Sequence, residues 1–221
     1  GLGAYAAGTI SQGLTRRYHG LLVAPTRPPL GRHLMFSKAD ATLHDGNKSY
    51  ALFSNHWGSG AIEPNGCSYL DSFRLEGTMP VWRYLIEDLI VEQCIWMEHG
   101  HNTTYVAWRL VNENEIDRPI MLSVDLLANQ RGHHNETNMW DFNPYIDGNE
   151  TQISLRQNGQ PTLHFKTNSG QFITEHQRIE DFLLVQESER GLADRDAHLC
   201  VAYLHTQLWN DWCGIVASIE E

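Results

Sequence analysis

The sequence is poor in cysteine and in basic residues, and it contains no long apolar run. Its four cysteines lie far apart without a Cys-x-x-Cys pair, which excludes a zinc ribbon and favours reduced thiols in a cytoplasmic protein. Sixteen basic residues against 27 acidic ones leave a formal charge of −11, which disfavours nucleic acid, anionic membranes and anionic polysaccharides as partners. No stretch approaches the roughly 20 apolar residues that span a bilayer.

Several catalytic and cofactor motifs are missing as well. The sequence has no G-x-S-x-G elbow of the serine hydrolases, no phosphate-binding P-loop and no kinase motifs. Its glycine-rich start, Gly1–Gly8, is spaced G-x-G-x-x-x-x-G with no strand before it, so we expect no dinucleotide site and no cofactor. Carboxylates are plentiful, but no pair has a separation that the sequence fixes. We therefore assign no catalytic residue.

The main pattern in the sequence is an alternation of apolar and polar residues with a period of two. Residues Thr104–Val111, Pro119–Leu127 and His198–His205 each place apolar side chains at alternate positions, which indicates strands. Turn-forming pairs such as Asn158-Gly159 separate such segments and favour hairpins. The sequence therefore predicts an all-β protein, a large antiparallel β-sandwich with long loops. Shorter strands are predicted at Leu21–Ala24, Leu34–Leu43, Tyr50–Ser54, Ser68–Glu76, Ile90–Met97, Gln152–Arg156, Thr162–Lys166 and Gln171–His176.

Two polar stretches, Asn129–Asn138 and Glu187–Asp196, predict long loops, where binding residues concentrate on a rigid sandwich. Glu175–Arg190 is the best helical candidate, but its polar sequence is equally compatible with a strand followed by a loop. The final residues, 215–221, alternate like a strand without a stop signal, and the chain starts at Gly1 inside a motif. We therefore expect a piece of a longer protein.

Four adjacent polar residues, Arg16, Arg17, Tyr18 and His19, stand directly before an apolar strand. Their planar donors and flat faces suit recognition of a polyhydroxylated ligand. The same residues could form a surface salt-bridge cluster at the entrance of the strand. Residue chemistry alone supports the two interpretations equally.

A second polar cluster lies in Asn129–Thr137. The adjacent His133 and His134, with Glu136 nearby, suggest a metal-dependent enzyme as one hypothesis. In a strand these two imidazoles would point to opposite faces, and no third ligand follows at a suitable spacing. We therefore expect no metal.

Seven tryptophans are present, and aromatic faces of this kind can stack on sugar rings. Most tryptophans belong to cores, however, and Trp96 and Trp108 lie on strand patterns that predict burial. Trp140 lies in the loop-like stretch Asn138–Phe142. It is the tryptophan that we expect to form an exposed platform for a sugar.

The segment Gly3–Ala24, above all its Thr-Arg-Arg-Tyr-His-Gly-Leu-Leu-Val-Ala run, resembles the N-terminal domain of bacterial and archaeal glycogen debranching enzymes. The likeness extends to about Ser218. It implies that Arg16, Arg17, Tyr18 and His19 include residues facing the sugar site or the interface with the next domain.

The second cluster resembles an Arg-Asp-aromatic-His element of the same family. Arg131 and His134 match that element and become further candidates for substrate binding or for the domain interface. Gly132 and His133 depart from it, because the family usually has Asp and an aromatic residue there. This departure puts in doubt any carboxylate role at position 132.

The resemblance implies a single N-terminal β-supersandwich domain over residues 1–221, followed by an (α/α)6 barrel that this chain lacks. The barrel would hydrolyse the α-1,6 branch linkage, while this domain shapes the substrate cleft and supports the barrel. The expected partners are a branched, neutral α-glucan such as glycogen or limit dextrin and the chain's own C-terminal domain. A stand-alone α-glucan-binding module without catalytic activity is the alternative.

Overall fold

The computed structural model describes residues 2–28, 30–138 and 140–220. Gly1 of the glycine-rich start and Met139 of the loop beside Trp140 lie outside these ranges. Within them the chain forms strands joined by turns, two 3-10 turns (Gly66–Tyr69 and Glu113–Glu115) and a one-turn helix α1 (Val185–Ser188). The strands are β1 (Tyr5–Ala7), β2 (Gly20–Arg27), β3 (Leu30–Asp45), β4 (Lys48–Ala51), β5 (Ser54–His56), β6 (Ile62–Asn65), β7 (Leu70–Glu76), β8 (Met79–Ile86), β9 (Leu89–Met97), β10 (Thr103–Leu110), β11 (Ile120–Ala128), β12 (Tyr145–Asn149), β13 (Gln152–Arg156), β14 (Leu163–Thr167), β15 (Gln171–Leu183), β16 (Arg195–Gln207) and β17 (Cys213–Ser218).

The strands form two large sheets and one small one. The first sheet has the order β1-β2-β3-β11-β16-β15, with β4 paired to β3. The second has the order β12-β13-β14-β17-β10-β9-β8-β7, and β5 pairs with β6. All of these pairings are antiparallel. The predicted fold class, a large antiparallel β-sandwich with long loops, is confirmed.

The core lies between the two large sheets because alternate residues of each strand face inward. In β11 the buried set includes Leu122 and Val124, and in β10 it includes Trp108, which has no exposed surface. Phe36 of the first sheet meets Phe165 of the second edge to face, with ring centroids 4.9 Å apart. Such a contact adds about 0.5–1.5 kcal/mol beyond the burial of the rings.

One burial prediction is wrong. Trp96 is 37% exposed, although Trp108 is buried as expected. Trp96 pairs in register with Tyr105, whereas Trp108 pairs with Gln93. Because side chains alternate between faces, Trp96 and Tyr105 share the outer face of the second sheet. There the two rings stack, 4.8 Å apart and almost parallel.

The segment Glu175–Arg190, whose sequence is compatible with a helix or with a strand followed by a loop, forms part of a strand and a short helical turn. Residues 171–183 make β15, the edge strand of the first sheet, and α1 follows. The Asn158-Gly159 turn joins β13 to β14, with Gly159 at a φ of 78°. No helix in the described part of the chain is long and apolar enough to cross a membrane.

The register along the long strand β3 brings three chain segments together. Residues 16–19 precede β2, the loop 129–144 follows β11, and β16 begins at Arg195. Leu22, near the start of β2, and Ala128, at the end of β11, both pair with Phe36 of β3 from opposite sides. Ala128 also pairs with Leu199 near the start of β16, so the three segments meet at the level of Phe36.

Candidate functional site

A buried ion pair forms the centre of the region where these three segments meet. Arg131 Nη2 lies 2.7 Å from Asp196 Oδ2, and the two side chains are 5% and 4% exposed. The Arg131 guanidinium also donates to the carbonyl of Arg17 at 2.8 Å and to the Thr137 hydroxyl at 3.0 Å. Thr137 in turn donates to Asp196. Arg131 therefore ties the polar run before β2 to the loop after β11 and to the start of β16.

A neutral histidine lies beneath this pair. His198 is fully buried, and its Nδ1 is hydrogen-bonded to the Ser37 hydroxyl at 3.0 Å. Burial lowers the pKa of His198 to about 4, against a smaller opposing effect of the Asp196 charge. The imidazole is therefore uncharged at neutral pH.

Asp196 stays ionised despite its burial. Burial alone would raise its pKa, but the charges of His198 and Arg131 and the hydrogen bonds from Arg131 and Thr137 lower it. Since His198 is uncharged at neutral pH, Arg131 supplies the charge that matters there. A carboxylate that is ionised, buried and paired has no proton to donate, so Asp196 is unsuited to general acid catalysis.

The run of Arg16 to His19 forms a turn held by Glu187. The Arg17 amide donates to Glu187 Oε1 at 3.1 Å, and Arg16 Nε lies 3.8 Å from the same oxygen. The Thr15 amide donates to His19 Nδ1 at 3.2 Å and closes the turn. The pKa of His19 is lowered by burial and by the Arg16 charge. His19 is thus engaged with its own backbone.

The Arg17 guanidinium lies nearer the surface and reaches across two loops. It donates to the carbonyl of His134 at 3.0 Å and to the carbonyl of Ala193 at 2.9 Å. These two bonds use the main chain of both predicted long loops. Arg17 therefore fixes the loops to each other.

Four rings form a continuous hydrogen-bonded row above the ion pair. Tyr5 Oη is 3.2 Å from His133 Nδ1, and His133 Nε2 is 3.0 Å from His134 Nε2. His134 Nδ1 is 3.1 Å from Tyr18 Oη. The bond between the two imidazoles requires one Nε2 to donate and the other to accept. Burial and the neighbouring His134 lower the pKa of His133, which favours this neutral arrangement.

The expected orientation of the two histidines is wrong. His133 and His134 lie in a turn rather than in a strand, so the alternation rule does not apply, and their ring centroids are 4.1 Å apart. No group of three or more His, Cys, Asp or Glu side chains in the described ranges could hold a metal ion.

Six of the seven predicted site residues are brought together, and one is not. Arg16, Arg17, Tyr18, His19, Arg131 and His134 belong to the network described above, which we call the Arg–His cluster. Trp140 lies apart from it, 83% exposed, with the Arg178 guanidinium 4.9 Å from its ring centroid. The exposure expected for Trp140 is confirmed, while a role in binding stays a prediction for all seven.

Sequence reasoning missed several members of the cluster. Glu187 and Asp196 bound one predicted long loop and Asn129 begins the other, but none of the three was predicted as a site residue. Tyr5 lies in the segment that carries the family resemblance and His198 begins a predicted strand, and neither was singled out. Asn129 Nδ2 donates to the Thr137 hydroxyl at 2.9 Å, and its Oδ1 accepts from the Gln130 amide at 2.8 Å. Such local caps of a strand end are common for Asn and are not distinctive in a sequence.

Comparisons with known proteins give a family model and distant similarities to solved structures. The family model for the glycogen debranching enzyme N-terminal domain matches residues 1–211. No curated protein matches the sequence. Among solved structures, a polysaccharide lyase is similar with 9% identity and a TM-score of 0.43, over 99% of this chain and 32% of the lyase chain. The chain thus spans about a third of the length of that lyase.

Proposed function

Since the chain belongs to the family of glycogen debranching enzyme N-terminal domains, we propose that it is the N-terminal domain of an enzyme that hydrolyses α-1,6 branch linkages of glycogen-like α-glucans. In this proposal residues 1–221 form one cytoplasmic domain, and an (α/α)6 barrel that follows in the parent protein carries the acid and base. The domain shapes the substrate cleft and supports the barrel. Its partners are the branched glucan and that barrel.

The structure of the Arg–His cluster supports this division of labour. Arg131 is paired with Asp196 inside the protein, and the Arg17 guanidinium is bonded to two loop carbonyls. Since Asp196 is also unsuited to donate a proton, the cluster is better fitted to hold loops than to break a glycosidic bond. Tyr18 is half-buried beside the exposed His134. Its hydroxyl can make a further hydrogen bond to a sugar hydroxyl besides its bond to His134 Nδ1. The net charge of −11 does not oppose a neutral polymer.

A stand-alone α-glucan-binding module remains a second candidate. The observation that favours it is the exposure of Trp140, because a binding module needs an aromatic platform and no catalytic partner. The two candidates differ in whether the parent protein releases glucose.

The deciding experiment measures glucose release from a branched limit dextrin by this chain and by the full-length parent side by side. We expect release by the parent alone. Release by the chain itself would overturn the assignment of the chemistry to the barrel. No release by either protein would overturn the debranching proposal and favour the binding module.

Tyr18 provides a finer test in the full-length enzyme. Tyr18→Phe removes a hydroxyl at the surface of the cluster, and we expect kcat/KM for limit dextrin to fall about tenfold, the equivalent of about 1.4 kcal/mol. Tyr50→Phe is the matched control, since the Tyr50 hydroxyl is likewise bonded to a polar side chain, donating to Glu87 at 2.9 Å, but lies on β4. If Tyr18→Phe lowered the melting temperature but left kcat/KM unchanged, the Tyr18 hydroxyl would stabilise the fold and have no role in substrate binding.

A further inference from the structure

Two exposed aromatic side chains lie close together in the chain beside the edge of the first sheet. Trp140 is 83% exposed and Tyr145 is 67% exposed, the highest values among the aromatic residues that the structure describes. Exposing a large aromatic ring gives up the free energy that its burial would supply. The exposure of two such rings within six residues therefore calls for an explanation, and binding of a ligand would supply one.

An open hollow adjoins the ring of Tyr145. Its volume is about 560 Å³, within the range of about 300–1,000 Å³ that is usual for small-ligand sites. One wall comes from the segment around Tyr145 and the other from the edge strand β15. The lining residues are Asn143, Pro144, Tyr145, Ile146, Thr174, Glu175 and His176.

Arg178 links Trp140 to the same edge strand. Its guanidinium lies 4.9 Å from the centroid of the indole ring, and it is two residues beyond His176 on β15. A cation over one face of an exposed indole contributes about 0.5–1 kcal/mol and helps to hold the ring in place. The large exposed fraction of Trp140 shows that this contact leaves most of the ring accessible.

The chemistry of this surface strip, formed by Trp140, Tyr145 and the hollow, favours a neutral oligosaccharide as its ligand. Aromatic faces stack on the apolar faces of pyranose rings, while the amide, hydroxyl, carboxylate and imidazole groups of the lining can bond to sugar hydroxyls. A polyanion is disfavoured by the net charge of −11 and by Glu175 in the hollow.

We propose that Trp140, Tyr145 and the hollow lined by Asn143 and His176 form a site for an unbranched stretch of neutral glucan, separate from the Arg–His cluster. The oligosaccharide class follows from the strip itself, whereas its identity as an α-1,4-linked chain rests on the proposed function. The site would hold an outer chain of the polymer while a branch is processed elsewhere.

The test is a calorimetric titration of the 221-residue chain with maltoheptaose. We expect the wild type to bind, and Trp140→Ala and Tyr145→Ala each to weaken binding at least about tenfold, or about 1.4 kcal/mol. Trp209→Ala and Trp96→Ala are matched controls, because these tryptophans are 48% and 37% exposed at other places. Both controls should bind like the wild type, and Trp140→Ala and Tyr145→Ala should unfold at the wild-type temperature.

The outcomes separate this site from the proposed function. Absence of wild-type binding, or equal losses in the control variants, would overturn the site even if the parent debranches limit dextrin. Binding that depends on Trp140 and Tyr145 would support the site even if the parent released no glucose. In that second case the debranching proposal would fail and the glucan site would stand.

Discussion

The two ends of the loop between β11 and β12 differ in where their polar and aromatic groups find partners. At the start of the loop, Asn129 and Arg131 are buried and bonded to other parts of the protein. Toward its end, Trp140 is exposed, and so is Tyr145, the first residue of β12, which lines an open hollow. Both ends contain residue types that are common in sugar sites. The partners, rather than the residue types, distinguish a group that holds the fold from one that is free for a ligand.

Electrostatics explains why the first end is structural. A buried ion pair loses much of the solvation of both charges, so it contributes little net stability, but removing one member leaves the other unpaired. Arg131 thus fixes geometry at a point where three segments meet. At the second end, the described part of the chain leaves most of the Trp140 and Tyr145 side chains uncovered.

The largest expected effect comes from removing the buried guanidinium. Arg131→Ala leaves the Asp196 carboxylate buried without its cation, and we expect a loss of about 3–5 kcal/mol in the free energy of unfolding, measured with urea. Arg156→Ala is the control, because Arg156 pairs with Asp147 at 3.4 Å between side chains more than half exposed. Exposed pairs of that kind contribute about 0–1 kcal/mol. If both variants lost the same free energy of unfolding, Arg131 would contribute no more to the fold than an exposed arginine, and the start of the loop could not be called structural.

A second prediction concerns pH. The pKa of His198 is about 4 in the folded protein, below its usual value of 6.5, so the unfolded chain binds more protons between these values. The stability that His198 contributes is therefore complete above pH 6.5 and is lost as the pH drops toward 4, by about 3 kcal/mol for the full shift. In His198→Gln this part of the slope should vanish, whatever the absolute stability of the variant.

The control for the pH slope is His99→Gln, which changes an exposed histidine in a turn. Urea unfolding at several pH values between 4 and 7 gives the slope for each protein. If His198→Gln retained the wild-type slope, the buried neutral imidazole would not be its source.

The sequence predicted the fold better than it predicted the site. The period-two pattern identified most strands and the sandwich class, because burial of one strand face leaves a direct trace in residue order. It failed for Trp96 because alternation tells which residues share a face but not which face is inside. The exposure of Trp96 in the structure shows that its face of the second sheet is the outer one.

The site depends on contacts between distant segments, which no local pattern records. Arg131 meets Asp196 across 65 positions, and Tyr5 meets His133 across 128. The motif before β2 drew attention to Arg17 and Tyr18, but their partners could not be read from spacing. His133 and His134 were assigned opposite directions because a strand was assumed where the chain makes a turn.

The smallest effect on stability is expected at the far end of the loop. Trp140→Ala removes a side chain that is 83% exposed, so the free energy of unfolding should change by no more than about 0.5 kcal/mol, the usual range for surface positions. Urea unfolding of this variant beside Arg131→Ala measures both ends of the loop by one method. A loss above about 2 kcal/mol in Trp140→Ala would place its indole among the structural contacts, and the difference between the two ends of the loop would then be one of position rather than of role.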